Sequence, residues 1–190
     1  NTPEQLKVTM TFSLTMPGVP FIYYGDEIGM KYQMNLPSKE GSRERAGTRT
    51  PMQWTNGANA GFSTVSDASK LYFPVDTENG KLTVETQEAD KASMLNYVRT
   101  LLKLRAENPA LGNDADWQLL NVKGGQVYPM VYVRSAAGQK VMVVLNPTAK
   151  KQTMAVEGEA KKVLSTTGKA NFKKGKVTLD AFSTLIVELQ

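Results

Sequence analysis

Cysteine and histidine are both absent from this chain of 190 residues. Without cysteine there are no disulfides, no thiol nucleophile and no thiolate metal site. Without histidine there is no Ser-His-Asp triad, no imidazole metal ligand and no side chain that titrates near neutrality in its ordinary state. Acid–base chemistry would have to come from carboxylates, lysine or tyrosine. Long apolar runs are missing as well, and none approaches the roughly 18 residues of a membrane span. The opening Asn1-Thr2-Pro3-Glu4-Gln5 lacks the basic and then apolar layout of a signal peptide. It also lacks an initiator methionine, which leads us to expect that the chain begins inside a longer protein.

What is present is globular in character, with 41% apolar and 22% charged residues. The net charge of +5 is unevenly spread: residues 1–100 hold 10 Lys/Arg against 11 Asp/Glu, and residues 101–190 hold 13 against 7. The excess lies in the pairs Lys150-Lys151, Lys161-Lys162 and Lys173-Lys174, which flank turns. Nucleic-acid surfaces interleave arginines with exposed aromatics, so a nucleic-acid partner is excluded.

Along the chain, Thr2 and Pro3 form a helix start, and Leu6, Met10 and Leu14 follow on one face. The pattern predicts a helix over about 3–15, ending before Pro17. Phe21 to Tyr24 then form a continuous apolar, β-favouring run, which predicts a strand buried on both faces of a parallel sheet. Gly25 breaks it just before Asp26 and Glu27. Residues 30–86 have little periodicity, although Asn79-Gly80 predicts a hairpin between 71–77 and 81–85. Met94, Leu95, Val98, Leu101, Leu102 and Arg105 trace the face of a second long helix, stopped by Asn108-Pro109. Beyond Gly112, seven short strands are expected over 117–122, 127–134, 140–145, 152–156, 162–165, 176–179 and 184–189. Their alternation predicts a half-buried antiparallel sheet in a small sandwich or Greek-key module. The domain boundary is placed near residue 111.

Two clusters carry possible chemistry. Asp26 and Glu27 lie at a strand end, where barrel enzymes build their sites. A glycosidase needs two carboxyls converging across one bond, roughly 5–5.5 Å apart for retention and 6.5–9.5 Å for inversion. Sequence neighbours on extended backbone diverge, so the pair reads better as a loop anchor accepting from backbone N–H groups or pairing with arginine. The second cluster runs from Ser42 to Trp54 and on to Phe62. Arg43, Arg45 and Arg49 beside Gln53, Trp54 and Phe62 suit a polyol-recognition surface, since guanidinium forks orient hydroxyls and aromatic faces pack on sugar rings. The same residues equally suit a staple holding a long loop to its core. Tyr23 and Tyr24 read as sugar-facing or as core.

The segment Met16-Pro17-Gly18-Val19-Pro20-Phe21-Ile22-Tyr23-Tyr24-Gly25-Asp26-Glu27-Ile28-Gly29-Met30 resembles the eighth-strand motif of the α-amylase family, glycoside hydrolase family 13. Arg49-Thr50-Pro51-Met52-Gln53-Trp54 with Asn59-Ala60-Gly61-Phe62-Ser63 is similar to the following loop in its α-glucosidase, oligo-1,6-glucosidase and trehalose synthase branches. Residues 94–111 resemble the last barrel helix and the strands beyond resemble the family's C-terminal β domain.

The resemblance implies the C-terminal end of a (β/α)8 TIM barrel over 1–111, followed by an all-β antiparallel Greek-key sandwich over 112–190. It implies a retaining glycoside hydrolase acting on α-glucosidic bonds of malto- or isomalto-oligosaccharides or starch, with an oligosaccharide as its partner in the intact protein and no cofactor or metal. The family's two aspartates and one glutamate lie on earlier strands, in motifs that include histidine, so no catalytic residue is carried over and the chain alone is expected to be inactive. Arg45 and Arg49 match family arginines near the first sugar-binding subsites, although the sequence around Arg45 departs from the usual pattern. Asp26 and Glu27 fall at the active-site rim in an architectural role. A non-catalytic carbohydrate-binding or scaffolding module is the alternative. A single parallel strand leaves Phe21, Ile22 and the second helix short of partners, so we expect residues 1–110 to be remodelled or covered by self-association.

Overall fold

A computed structural model describes residues 2–37, 45–76, 82–120 and 127–190. It divides into two compact units, one formed by Asn1–Phe21 with Val98–Gln190 and the other by Ile22–Tyr97.

The first unit opens with helix α1 (Pro3–Thr15). Its start is built as the sequence implies: Pro3 occupies the first turn, and Thr2 and Gln5 form a capping box. Gln5 N donates to Thr2 Oγ1 at 3.4 Å and Thr2 N donates to Gln5 Oε1 at 2.8 Å. The buried face is rotated from expectation. Val8, Thr11, Leu14 and Thr15 are buried, while Leu6 and Met10 are only partly covered. The threonines can go inside because Thr11 and Thr15 return their hydroxyl protons to the carbonyls of Lys7 and Thr11.

Among the described residues eight strands follow, one more than expected: β1 (Asp116–Leu119), β2 (Met130–Ala136), β3 (Gln139–Asn146), β4 (Gln152–Ala155), β5 (Ala160–Thr167), β6 (Ala170–Lys173), β7 (Lys176–Leu179) and β8 (Ser183–Leu189). They form a five-stranded sheet ordered β1-β2-β3-β8-β5 and a three-stranded sheet ordered β4-β7-β6, with antiparallel pairing throughout. The additional strand is β6, whose Ala-Asn-Phe-Lys sequence has little periodicity of its own and is recruited by pairing with β7. Residues 121–122 of the expected first strand lie outside the described residues, and the strand expected from 127 begins only at Met130.

Val131, Met142, Val144, Val177, Leu179, Leu185 and Val187 fill the core between the sheets. The half-buried pattern expected for the sheet does not hold at β3, where Val141 through Asn146 are all buried. Its second face is covered by α1 and by the turn Pro109–Leu111. That face carries Tyr132 and Arg134, large polar side chains with no exposed surface. The Tyr132 hydroxyl meets Thr15 Oγ1 of α1.

Burial raises the Tyr132 phenol well above its ordinary value of 10.0, while the Thr15 contact and the Arg134 charge pull the other way. Since the folded value is the higher one, the unfolded chain releases this proton first. The contribution to stability is therefore complete below pH 10.0 and is lost as pH rises through the interval above it. In chemical denaturation, Tyr132→Phe is expected to remove this part of the alkaline loss, about 1.4 kcal/mol per pH unit above the ordinary value. Parallel stability–pH slopes for the two proteins would show that Tyr132 ionises freely in the folded state.

The strand expected at 21–24, where the chain passes from the first unit to the second, is absent. The backbone there pairs with no strand, and Phe21 is 94% exposed, with Ile22, Tyr23 and Tyr24 also exposed. A buried parallel strand is defined by its neighbours, and no described segment supplies a ladder on either side. The expected hairpin is also corrected. Its turn and parts of both arms lie at 77–81, outside the described residues, and its second arm runs into helix α2 (Val84–Ala89), capped by Thr83, whose Oγ1 accepts from Thr86 N at 3.1 Å.

Helix α3 (Met94–Glu107) forms as expected, with Met94, Leu95, Val98 and Leu101 buried. Leu102, expected on the same face, is exposed, and Tyr97 is buried instead. Residues to Tyr97 group with the second unit and the remainder with the first.

Candidate functional site

Inside the second unit, the Gly25–Gly29 segment folds into a single tight turn. Gly25 and Gly29 both adopt left-handed backbone, at φ 91° and 72°, and bracket a 3₁₀ turn over Asp26–Ile28. Both carboxylates close the turn on itself: Tyr23 N donates to Asp26 Oδ2 at 3.1 Å and Gly25 N donates to Glu27 Oε2 at 2.7 Å. Ile28, fully buried, packs with Met52 and Leu95. Gln87 clamps the same spot, donating through Nε2 to the Ile28 carbonyl at 2.7 Å and accepting from Leu95 N through Oε1 at 2.9 Å.

The arginine segment approaches this turn from residues 45–50. A 3₁₀ turn over Ala46–Thr48 places Gly47 so close to the preceding loop that an added Cβ would lie 2.3 Å from the Gln33 carbonyl oxygen and 2.7 Å from the Tyr32 ring. Only glycine fits there. Gln33 N donates to Gly47 O at 3.1 Å, and Tyr24 Oη donates to the Thr50 carbonyl at 3.1 Å.

These contacts leave an open cleft of ≈ 380 Å³ lined by Tyr23, Tyr24, Asp26, Lys31, Arg45 and Arg49, with Tyr32 and Gly47 in its wall. The Tyr23 and Tyr24 rings lie 4.6 Å apart, tilted by 37°. Partial burial raises the Tyr24 phenol above its ordinary value, and Tyr23 adds to the effect; Arg49 opposes it.

Of the residues singled out from sequence, Asp26, Arg45, Arg49, Tyr23 and Tyr24 come together at this cleft. Glu27 lies beside it without lining it. Gln53 is buried elsewhere in the unit, and Trp54 and Phe62 are exposed outside the cleft, so the aromatic and arginine residues of that segment do not make one surface. Arg43 lies outside the described residues. Sequence reasoning missed Lys31 and Tyr32. Their one signal was their position just past Gly29, where the tight turn reverses the chain.

The cleft presents the cationic side chains of Lys31, Arg45 and Arg49 and the phenols of Tyr23, Tyr24 and Tyr32 to a ligand, which suits a hydroxyl-rich molecule. Asp26, the one carboxylate lining it among the described residues, is engaged by a backbone N–H. A single anchored carboxylate does not make the convergent pair that glycosidic cleavage requires. Among the described residues, no group of three acidic side chains could hold a metal ion, and no helix is long and apolar enough to cross a membrane.

Residues 1–114 match the Alpha amylase, catalytic domain family, and residues 130–186 match the Alpha-amylase SusG C-terminal domain. The chain belongs to the α-amylase family. It is 36% identical over 149 residues to the trehalose synthase/amylase TreS of Mycobacterium tuberculosis (strain ATCC 25618 / H37Rv), an alignment covering 76% of this chain and 23% of that protein. It is 31% identical over 177 residues to α-amylase 3 of Dictyoglomus thermophilum, covering 93% and 32%. In fold it is similar to the crystal structure of the trehalulose synthase of Pseudomonas mesoacidophila MX-45, with a TM-score of 0.83 at 22% identity over 99% of this chain and 38% of that one. The fold class expected from sequence, a barrel portion with an antiparallel β module, is the one shown. The chain spans about a quarter to a third of the length of the curated relatives it matches.

Proposed function

We propose that this chain is the C-terminal part of an α-amylase family enzyme that acts on α-glucosidic bonds of malto- or isomalto-oligosaccharides with retention of configuration. In that protein Arg45 and Arg49 bind sugar hydroxyls, and the Asp26–Glu27 turn shapes the rim of the site. The observation that carries this reading is the convergence of Tyr23, Tyr24, Asp26, Arg45 and Arg49, from two separate segments, on one cleft. The anchored state of Asp26 and Glu27 supports an architectural role for both. The reading keeps the boundary between barrel portion and β module near residue 111, in keeping with family matches over 1–114 and 130–186.

The chain by itself has no hydrolytic activity in this reading, because among the described residues its cleft has no convergent carboxylate pair. The test is p-nitrophenyl α-glucoside and maltotriose hydrolysis by the purified chain, with Arg49→Ala as a control for contaminants. Turnover that tracks the purified chain and falls in the variant would overturn the proposal.

Self-association also belongs to the proposal, supported by the exposed Phe21–Tyr24 run. Light scattering is expected to report a mass above 20.9 kDa, reduced toward that value by Phe21→Ser. A monomer with the wild-type residue excludes it.

A further inference from the structure

A second cavity in the same unit, of ≈ 460 Å³, shares no lining residue with the arginine cleft. Its polar wall includes Gln53, Asn56, Asp76 and Thr83, and its apolar wall includes Leu71 and Val75. Gln53 is only 2% exposed, and its Nε2 has no hydrogen-bond partner. A buried amide donor left unpaired is costly and calls for an explanation. Asp76, also buried, brings a group that is acceptor-only when ionised.

The wall is held in place from several directions. Thr83 Oγ1 donates to Asn56 Oδ1 at 3.1 Å, Asn56 Nδ2 donates to Thr86 Oγ1 at 3.0 Å, and Val84 N donates to the Gln53 carbonyl at 3.0 Å. Asn59 and Ala60, which also line the cavity, are both held at positive φ, 49° and 52°. The Ala60 carbonyl accepts from both Trp54 N at 2.9 Å and Thr55 N at 3.0 Å. Backbone strain at a non-glycine residue, kept by surrounding bonds, is typical of ligand clamps.

We propose that this cavity binds a neutral polyhydroxyl ring, the size of one hexose. Among the described residues no cationic side chain lines it, which disfavours phosphates and carboxylates. An ammonium ion could answer Asp76 but accepts nothing from Gln53. A ring bearing adjacent hydroxyls does both, accepting from Gln53 Nε2 and donating to Asp76, while its C–H face lies on Leu71 and Val75. The volume falls within the roughly 300–1,000 Å³ of small-molecule sites. For so small a ligand the dissociation constant is on the order of millimolar.

The test is a titration of the isotopically labelled chain with D-glucose, followed in every variant at the backbone amides of Asn56 and Thr83 in the cavity wall and, where Gln53 is kept, also at its side-chain amide. These resonances are expected to shift and saturate. Gln53→Met removes the orphan donor at similar volume, so it should weaken binding about tenfold or more while leaving the melting temperature equal or higher. Leu71→Trp, which fills the cavity, should abolish binding independently. Arg49→Ala should leave the titration unchanged. No shift at the Gln53 amide up to about 100 mM, a range well above the expected millimolar constant, overturns the proposal. So does undiminished binding in Gln53→Met. A titration lost in Arg49→Ala but kept in Gln53→Met places the sugar in the arginine cleft and overturns it too.

Discussion

Replacing Arg134 by alanine should destabilise the unit that contains the β module by about 3–5 kcal/mol, at the upper end of single substitutions. The side chain has no exposed surface. Its guanidinium donates to four backbone carbonyls: Thr15 at the end of α1, and Gly112, Ala115 and Asp116 in the segment leading into β1. A helix C-terminus carries unpaired carbonyls and partial negative charge, and a buried cation answers both. Arg105 works on the same region, donating to the carbonyls of Leu14, Met16 and Gly18 and to Asn113 Oδ1. Burial pulls the Arg134 guanidinium below its ordinary value, and the nearby Arg105 charge adds to this.

Alanine at 134 would leave several carbonyls dry and unpaired and a void beside Tyr132. Lysine restores the charge without the planar fork and should recover only part of the loss. Urea denaturation checks both. A midpoint in Arg134→Ala equal to that of the wild type would mean that water replaces the guanidinium at no cost.

No local pattern marked Arg134 as buried. It alternates correctly within β2, but its value comes from α1 and the 112–116 segment, which meet it only in three dimensions. The start of α1 and the end of α3 were legible because their signals are local: Thr2 with Pro3, and Asn108-Pro109. The buried face of α1 was not, because threonines that bond their own helix pass as polar on any hydropathy pattern. The run Phe21–Tyr24 shows the opposite failure. Its composition encodes burial between neighbouring strands, and without such neighbours the same residues face solvent. At the candidate site, the residue types and turn glycines were readable in sequence. That Gly47 sits against Gln33 and Tyr32, bringing two segments to one cleft, required the fold. The family motif pointed to Arg45 and Arg49 as sugar ligands, and the separation of Gln53 from them was invisible to it.

In the intact protein, Arg49→Ala is expected to reduce kcat/KM for maltose or isomaltose by about 10–100-fold, the loss of one charge-assisted hydrogen-bond partner worth about 1.5–3 kcal/mol. Arg49 lines the cleft beside Tyr24 and Asp26, and its charge is close enough to act on the Tyr24 phenol. A guanidinium there can hold two hydroxyls of one ring in a fixed plane, which a lysine ammonium cannot reproduce. Arg49→Lys should therefore recover little of the loss. If the arginine holds sugar equally in ground and transition states, KM rises and kcat stays; if it acts mainly as the bond breaks, kcat falls. Either outcome keeps Arg49 as a ligand of the substrate. The competing role is a staple holding the 45–50 segment to the Gly25–Gly29 turn. In that case kcat/KM of the folded fraction stays at the wild-type value while the melting temperature drops. Measuring both quantities on the same preparation separates the two roles, because only a sugar ligand alters the kinetics of protein that remains folded.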